Sequence, residues 1–310
     1  MANIINQKNC LTARKNLGFG DCIVEMGQIT GPVLVPKGWS IDLKVDTFDL
    51  DYVNEQIQAG NFNPILGAAE FTDNTPEATI EEFQGGVKNV VRNGLPEFGF
   101  KYTRGGWLLA NALSSWNSNE AYDILIVSKN GNIAGVDLGD GVFGAFDGGM
   151  INAGSYKQTD GAVSGSVMLT IQLLDESQYN TKVAILDVVS LGFNASNKIF
   201  PLTDVLLING TADASDNKII FNAVFSMNPA ETVKGLDLAN FKVYINGVSS
   251  PISVATYNTL TGKYELSLTT PPSASDTAVV ELYDGVAGYP ATKVGQRYYK
   301  GKSESITVVA

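Results

Sequence analysis

Histidine is absent from the 310 residues of this sequence. That absence excludes Ser-His-Asp and Cys-His catalysis, the zinc proteases with histidine ligands and most catalytic zinc sites. Cysteine is nearly absent too, since Cys10 and Cys22 are the only two. Two cysteines cannot form a disulfide framework, so we expect free thiols in a reducing compartment, with a single Cys10–Cys22 bridge as the alternative.

Long apolar runs are also missing. The first eleven residues, MANIINQKNCL, contain no continuous apolar segment of the kind a signal peptide needs, and nowhere do about 18 apolar residues follow one another. We therefore expect a protein that is made in a cytoplasm and has no membrane partner.

Basic residues are scarcer than acidic ones, 21 against 32, which gives a net charge of −11. Residues 1–204 hold 23 acidic and 13 basic side chains, a net charge of −10, whereas residues 205–310 hold 9 and 8. Specific DNA binding needs clustered Lys and Arg, so the acidic first part argues against it. The charge is compatible with a surface past which DNA slides, and an acidic face kept for solubility is the alternative.

The chain is long enough for two domains, because single cores usually stop growing near ~250–300 residues. A hydrophobic content of 44 % indicates a folded chain, and 32 glycines favour short strands joined by tight turns. We predict a mainly β protein. Its first domain is α+β, an antiparallel sheet or barrel with a flanking helix, and an Ig-like β-sandwich follows it.

The densest secondary-structure pattern lies in residues 78–127. Residues 78–83 and 87–92 flank Gln84-Gly85-Gly86, which predicts a tight hairpin, and a third strand is predicted at 98–103. An amphipathic helix lying across a sheet is predicted next, because apolar side chains recur at helical spacing: Trp107, Leu108, Ala110, Leu113 and Trp116.

Other patterns complete the first domain. We predict an extended arm over 1–31, a helix that Asp49 caps and that runs to about Ala59, and an Asn-Gly hairpin between strands 124–128 and 133–138. The remaining predictions are strands at 33–36, 41–45, 162–175 and 183–189, a loop over 61–79 and a linker over 193–204.

After residue 204, short apolar stretches recur every 10–20 residues with Asn-Gly, Thr-Gly and Asp-Gly turns between them. This spacing predicts a seven-stranded sandwich of about 100 residues. It lacks the Cys…Trp…Cys set of antibody domains, so the likeness is one of architecture. The seven predicted strands are 205–208, 219–225, 241–245, 254–258, 264–268, 278–283 and 305–309.

The glycine-rich segment 135–149 suggests calcium, because Asp137, Asp140 and Asp147 could offer oxygen ligands. Its spacing fits neither an EF-hand loop nor a Gly-Asp nonapeptide repeat, and turn chemistry around short edge strands explains it better. The sequence therefore predicts no metal, catalytic or cofactor-binding residues.

Two further patterns have simple structural explanations. The adjacent carboxylates Glu81-Glu82 and Asp175-Glu176 would point to opposite faces of a strand rather than converge on a substrate. The run Arg297-Tyr298-Tyr299-Lys300-Gly301-Lys302 could touch a polyanion, but a strand edge protected by lysines is the simpler account. Trp39, Trp107 and Trp116 are expected in the core instead of in a sugar cleft. We expect no enzyme.

The order of these features resembles structural proteins of tailed bacteriophages. The resemblance covers residues 78–189: EEFQGGVKNVVRNGLPEFGFKY, the helix with Trp107, YDILIVSKNGNIAG, GAFDGG and SGSVMLTIQLLDESQYN. It is most similar to virion proteins of crAss-like phages. The resemblance implies a tail-tube-like fold that assembles into a ring of six or twelve copies around a DNA channel, with an Ig-like domain outside. It carries no catalytic residues.

The resulting hypothesis is a virion structural protein in a phage tail or head–tail connector. Its domains are an arm at 1–31, a ring-forming domain at 32–203 and a sandwich at 204–310. The expected partners are further copies of the chain, other tail or neck proteins, and DNA that passes without specific binding. The arm and the 61–79 loop are the expected contacts between copies. The alternatives are a capsid decoration or head-fibre protein and a carbohydrate-binding surface adhesin.

Overall fold

The computed structural model describes residues 4–6 as backbone, and residues 26–83, 86–285 and 288–310 in full. The chain divides into two compact units. One unit comprises Met1–Asn54 and Asn61–Ile199, and the other comprises Glu55–Gly60 and Phe200–Ala310. Strands take up 48 % of the structure and helices 12 %, so the predicted mainly β fold class is confirmed.

The helices are α1 (Leu50–Gln58), α2 (Gly106–Ser114), α3 (Glu176–Asn180), α4 (Val188–Leu191) and α5 (Ala195–Lys198), with a 3-10 turn at Leu238–Asn240. The strands up to residue 199 are β1 (Ile4–Asn6), β2 (Ile29–Pro36), β3 (Ser40–Asp42), β4 (Asn63–Pro64), β5 (Glu70–Asp73), β6 (Thr79–Glu82), β7 (Lys88–Arg92), β8 (Glu97–Tyr102), β9 (Ser118–Asn119), β10 (Tyr122–Ser128), β11 (Ile133–Gly139), β12 (Val142–Gly144), β13 (Gly148–Ala153), β14 (Val167–Leu173) and β15 (Val183–Leu186). The later strands are β16 (Leu202–Asp213), β17 (Lys218–Phe225), β18 (Asn228–Thr232), β19 (Phe241–Ile245), β20 (Val248–Ser250), β21 (Ile252–Asn258), β22 (Lys263–Leu268), β23 (Thr277–Leu282), β24 (Thr292–Val294), β25 (Arg297–Lys300) and β26 (Ile306–Val309).

Two curled antiparallel sheets form the first unit. One has the order β1-β15-β11-β10-β2-β4, with β12 paired to β11 and β3, and the other has the order β5-β8-β14-β13-β9. One core of this unit contains side chains from both sheets, among them Ile124 and Ile126 of β10 and Phe98 and Phe100 of β8. An antiparallel bridge between Ile124 and Phe146 lies beside this core.

Strand β14 shows why the sequence pattern predicts the sheet. Its residues alternate strictly, so that Val167, Leu169, Ile171 and Leu173 are buried and the residues between them are half-buried. One face of β14 therefore points into the core, as period-2 alternation requires. The predicted strand, 162–175, is too long at both ends, since Val163 is exposed.

Local turn and cap chemistry is confirmed where the sequence is most specific. Strands β10 and β11 pair around the predicted Asn-Gly turn, with Gly131 at a φ of 92°. The backbone N–H of Tyr52 donates to the Asp49 carboxylate at 2.9 Å, which caps α1, and the helix ends just before Gly60. Strands β6 and β7 form the predicted hairpin.

Helix α2 lies against β13 and β14, but Trp107, which we expected in the core, lies on its exposed side. Leu113 is buried, and Leu109 and Trp116 pack against the core. Trp107 is 62 % exposed and contacts the ring of Tyr156 at 5.0 Å between centroids. Residues two apart on a helix differ by about 200° in direction. Trp107 therefore faces away from the side that carries Leu109, and its predicted place in the core is wrong.

Four other predictions need correction. The 61–79 loop contains β4 and β5, which pair within the two sheets, and the 41–45 strand ends at Asp42, leaving Val45 exposed. The 183–189 strand ends at Leu186 because Asp187 accepts from the N–H of Ser190 at 2.7 Å and caps α4. The 193–204 linker contains α5 and the start of β16.

The second unit contains all seven predicted strands and four short additional ones. Its strands follow the order β20-β19-β23-β26-β16-β17-β22-β21, with β18 beside β17 and with β25, which pairs β24, beside β16. Strand β16 pairs antiparallel with β17 and parallel with β26, and thus belongs to both halves of this sheet. One core lies inside, with the rings of Phe221, Phe241 and Tyr264 in mutual contact.

The burial of Tyr102 makes the first unit less stable at alkaline pH. Its side chain is buried, and the hydroxyl donates to the carbonyl of Ile65 at 2.7 Å. Burial raises the pKa of the Tyr102 phenol far above its ordinary value near 10. The unfolded chain loses this proton above about pH 10 while the folded chain keeps it, so stability is complete below pH 10 and falls above it.

Tyr102→Phe is therefore expected to flatten this fall by about 1.4 kcal/mol per pH unit above pH 10, because the substitution removes the titrating group. Urea unfolding followed by tryptophan fluorescence at several pH values measures the slope. Tyr52→Phe, at a half-buried position, is the control. Equal slopes for the parent and Tyr102→Phe would contradict the prediction.

Candidate functional site

The three aspartates considered for calcium have separate structural roles. Asp137 accepts from the backbone N–H of Gly139 at 2.8 Å, and Asp140, at a φ of 53°, forms the turn between β11 and β12 with Gly141. Asp147 pairs with Lys37. Among the residues that the structure describes, no three acidic or cysteine side chains are grouped to hold a metal. Tight turns and an ion pair account for this glycine-rich segment.

Lys37, Asp123 and Asp147 form a polar cluster, called here the inter-sheet cluster. Asp123 is buried and accepts from the backbone N–H groups of Gly38 at 2.6 Å and Gly148 at 3.2 Å. The Lys37 ammonium lies 3.2 Å from Asp123 and donates to the Gly148 carbonyl at 2.8 Å. Because Asp123 belongs to β10 and Gly148 to β13, the cluster joins the two sheets.

The inter-sheet cluster sets one ammonium group between two carboxylates. Burial acts to lower the pKa of Lys37, but hydrogen bonds to Asp147 and Asp123 outweigh it and hold that pKa above its ordinary value. Lys37 therefore stays protonated at neutral pH and satisfies both carboxylates. The hydrogen bonds of the cluster connect β10 with β13 and serve the packing of the sheets.

The remaining candidates from the sequence are also structural. Asp175 caps α3 by accepting from the N–H of Ser177 at 2.8 Å. Hydrogen bonds from the Ser177 side chain and from its backbone hold the pKa of the Asp175 carboxyl below the ordinary value. In the basic-aromatic run, Tyr298 and Tyr299 are buried in β25, whereas Arg297 and Lys300 are exposed. Burial therefore keeps the two tyrosine rings away from a polyanion. The predicted strand edge is wrong, because β25 pairs with β24 on one side and with β16 on the other.

The β6–β7 hairpin carries a group of exposed apolar side chains. All nine residues of its two strands are exposed. The register places Ile80 opposite Val90 and Glu82 opposite Lys88, so these four share one face. Apolar side chains lie on both faces and at the tip, each between 48 % and 60 % exposed: Ile80, Phe83, Val87, Val90 and Val91.

This hairpin also has two free strand edges. Strands β6 and β7 pair with each other in a separate two-stranded sheet, and neither has a second strand partner within the described part of the chain. An isolated two-stranded hairpin is at best marginally stable in water, and free edges are templates for pairing with another chain. The hairpin therefore has the properties of a contact element.

The hairpin joins the rest of the unit through a tight stem. A Cβ on Gly94 would lie 1.8 Å from the carbonyl oxygen of Pro76, so only glycine permits this approach of the two backbones. Below the stem, the N–H of Asn74 donates to the Glu97 carbonyl at 2.7 Å. The entry and exit of the hairpin are thus held together.

The 1–31 arm, which we predicted as a contact between copies, pairs within its own chain where the structure describes it. In the 1–31 arm, Ile4–Asn6 pairs antiparallel with Val183–Leu186 of the same chain, and residues 29–31 begin β2. Residues 1–3 and 7–25, including both cysteines, lie outside the described residues. Sequence reasoning found the hairpin but not its exposure. The signal was present in Val90-Val91, because adjacent apolar residues on a strand occupy opposite faces.

No family model and no curated protein matches this chain. Within the described residues, none of the helices has the length and apolar character needed to cross a membrane.

Proposed function

We propose that this chain is a virion structural protein of a tailed bacteriophage that assembles as a ring of six or twelve copies in the tail or the head–tail connector. The observation that supports the proposal is the β6–β7 hairpin, with apolar side chains exposed on both faces and two free edges. Such a hairpin gains stability when another chain covers it.

The charge distribution supports a channel role. Residues 1–204 carry a net charge of −10, so a ring lined by this part of the chain would repel the DNA phosphates. Repulsion prevents the DNA from sticking and lets it pass without specific contacts. The second unit, with its nearly balanced charge, lies on the outside of the ring in this proposal.

The test is the mass of the protein in solution. At micromolar concentration we expect a closed oligomer of six or twelve copies of the 33.0 kDa chain, seen by light scattering and as rings in negative-stain images. A protein that remains monomeric at every concentration would overturn the proposal.

The triple substitution Val87→Thr, Val90→Thr and Val91→Thr is expected to raise the concentration for half-assembly by at least about tenfold. Threonine keeps the branched shape and strand preference of valine, but at each of the three positions it replaces a methyl group that assembly would bury, which is worth about 0.8 kcal/mol. Each 1.4 kcal/mol corresponds to a tenfold change in affinity. Light scattering across a dilution series measures the shift.

The matched control is the triple substitution Val189→Thr, Val248→Thr and Val254→Thr, at exposed valines outside the hairpin. It makes the same chemical change and is expected to leave assembly unchanged. If the control weakened assembly as much as the hairpin variant, the hairpin would not be the contact.

A further inference from the structure

The two strands of the β6–β7 hairpin carry charges of opposite sign. The charged residues of β6 are Glu81 and Glu82, and those of β7 are Lys88 and Arg92. All four side chains are exposed. One edge of the hairpin is therefore acidic and the other basic.

The hairpin already contains one contact between these charges. Glu82 and Lys88 lie opposite each other in the register, and the Lys88 ammonium is 3.6 Å from the Glu82 carboxylate. This pair shows that the geometry of neighbouring antiparallel strands brings an acidic side chain of β6 beside a basic side chain of β7. The same contact is available between the β6 edge of one copy and the β7 edge of another.

The charges distinguish two ways in which copies could pair. A two-fold dimer joins like edges, β6 to β6 or β7 to β7, and sets like charges beside each other, which is unfavourable. A head-to-tail contact joins β6 of one copy to β7 of the next and sets opposite charges together. Each hairpin then has one acidic and one basic neighbour, and every adjacent pair of strands is antiparallel.

We infer that successive copies of this chain pair through their hairpins, with the acidic β6 edge of one copy against the basic β7 edge of the next. The occupant of each edge is a second copy, and the inference rests on the proposed function. A head-to-tail contact repeats from copy to copy, and it closes a ring when the rotation between successive copies is a whole fraction of a full turn, as the proposed function requires. The face with Ile80 and Val90 lies on the same side of the ring in every copy.

Charge reversal tests this inference directly. The first variant, Glu81→Lys with Glu82→Lys, has two basic edges, and the second, Lys88→Glu with Arg92→Glu, has two acidic edges. Each alone places like charges at every contact, and we expect at least about a tenfold rise in the concentration for half-assembly. An equimolar mixture can alternate the two variants in a ring of even number, which restores opposite charges at every contact between copies, so it is expected to assemble at a lower concentration than either variant alone. It is not expected to reach the parent concentration, because like charges still face each other at positions 82 and 88 within each hairpin.

A quadruple variant that carries all four substitutions exchanges the two edges and is expected to assemble alone like the parent. Far-UV circular dichroism and thermal melting of each variant confirm that the units stay folded, since the four positions are exposed. Light scattering of single variants and of the mixture provides the readout.

The outcomes separate the inference from the function on which it rests. A parent chain that never assembles would overturn the proposed function. If the parent chain assembles and the single-edge variants assemble equally well, the head-to-tail pairing is overturned. The proposed ring itself would remain compatible with that result. Failure of both the mixture and the quadruple variant to recover assembly would also overturn the pairing.

Discussion

Asp123→Ala is expected to lower the free energy of unfolding of the first unit by about 1–3 kcal/mol, the usual cost of removing a buried side chain that satisfies hydrogen-bond donors. The substitution leaves the N–H groups of Gly38 and Gly148 without their carboxylate acceptor and Lys37 without one of its two anions. The cost comes mainly from the buried N–H of Gly148, because Gly38 is exposed and its N–H can bond to water. The two sheets of the unit then lose a shared polar contact.

Urea unfolding followed by tryptophan fluorescence measures this change. All three tryptophans, Trp39, Trp107 and Trp116, belong to the first unit, so the signal reports that unit. The control is Asp46→Ala, at an exposed carboxylate, and is expected to change stability by less than about 0.5 kcal/mol. A loss below about 1 kcal/mol for Asp123→Ala would show that the inter-sheet cluster contributes little.

Tyr264→Ala is expected to lower the free energy of unfolding of the second unit by about 3–5 kcal/mol, as large aromatic truncations in cores do. The Tyr264 ring is fully buried and contacts the rings of Phe221, Phe241 and Tyr257 at 4.9–6.0 Å between centroids. Its hydroxyl donates to the carbonyl of Val233 at 2.9 Å. Truncation leaves both a cavity and an unsatisfied carbonyl.

Tyr264→Phe separates the two contributions, because it keeps the ring and removes the hydroxyl alone. We expect a loss of about 1 kcal/mol for this variant. Circular dichroism during urea unfolding measures both variants, since tyrosine-to-phenylalanine and tyrosine-to-alanine changes leave the far-ultraviolet signal of the strands intact. Equal losses for the two variants would show that the hydrogen bond, and not the packed ring, dominates at this position.

The strands that the sequence predicts best are those with strict alternation or specific turns. Residues 241–245 and the β10–β11 hairpin are found where they are predicted, because period-2 burial and an Asn-Gly turn are local properties. The strand at 183–189 is predicted too long, since the cap that Asp187 provides competes with an apolar run. Local chemistry thus explains both the strands that are predicted correctly and the strand that is predicted too long.

The exposed position of Trp107 could not be predicted from helical spacing. Helical spacing predicts an apolar stripe on α2, but it does not say which part of a broad stripe meets the sheet. Leu109 and Leu113 are packed toward β13 and β14, and Trp107 is left exposed. That choice depends on where the sheet lies, which is a relation between residues distant in the chain.

In the β6–β7 hairpin, the sequence determines how the strands pair and the tertiary structure determines that they are exposed. The sequence by itself determined that residues 78–83 and 87–92 pair around a glycine turn, with acidic residues in one strand and basic residues in the other. Turn geometry and strand charge depend only on residues that are neighbours in the sequence. Only the tertiary structure decided that the two other sheets of the first unit close without it. Their strands pair with one another, and within the described residues both edges and both faces of the hairpin are uncovered. Burial is a property of the whole fold, and so a contact surface becomes visible only when the core is complete.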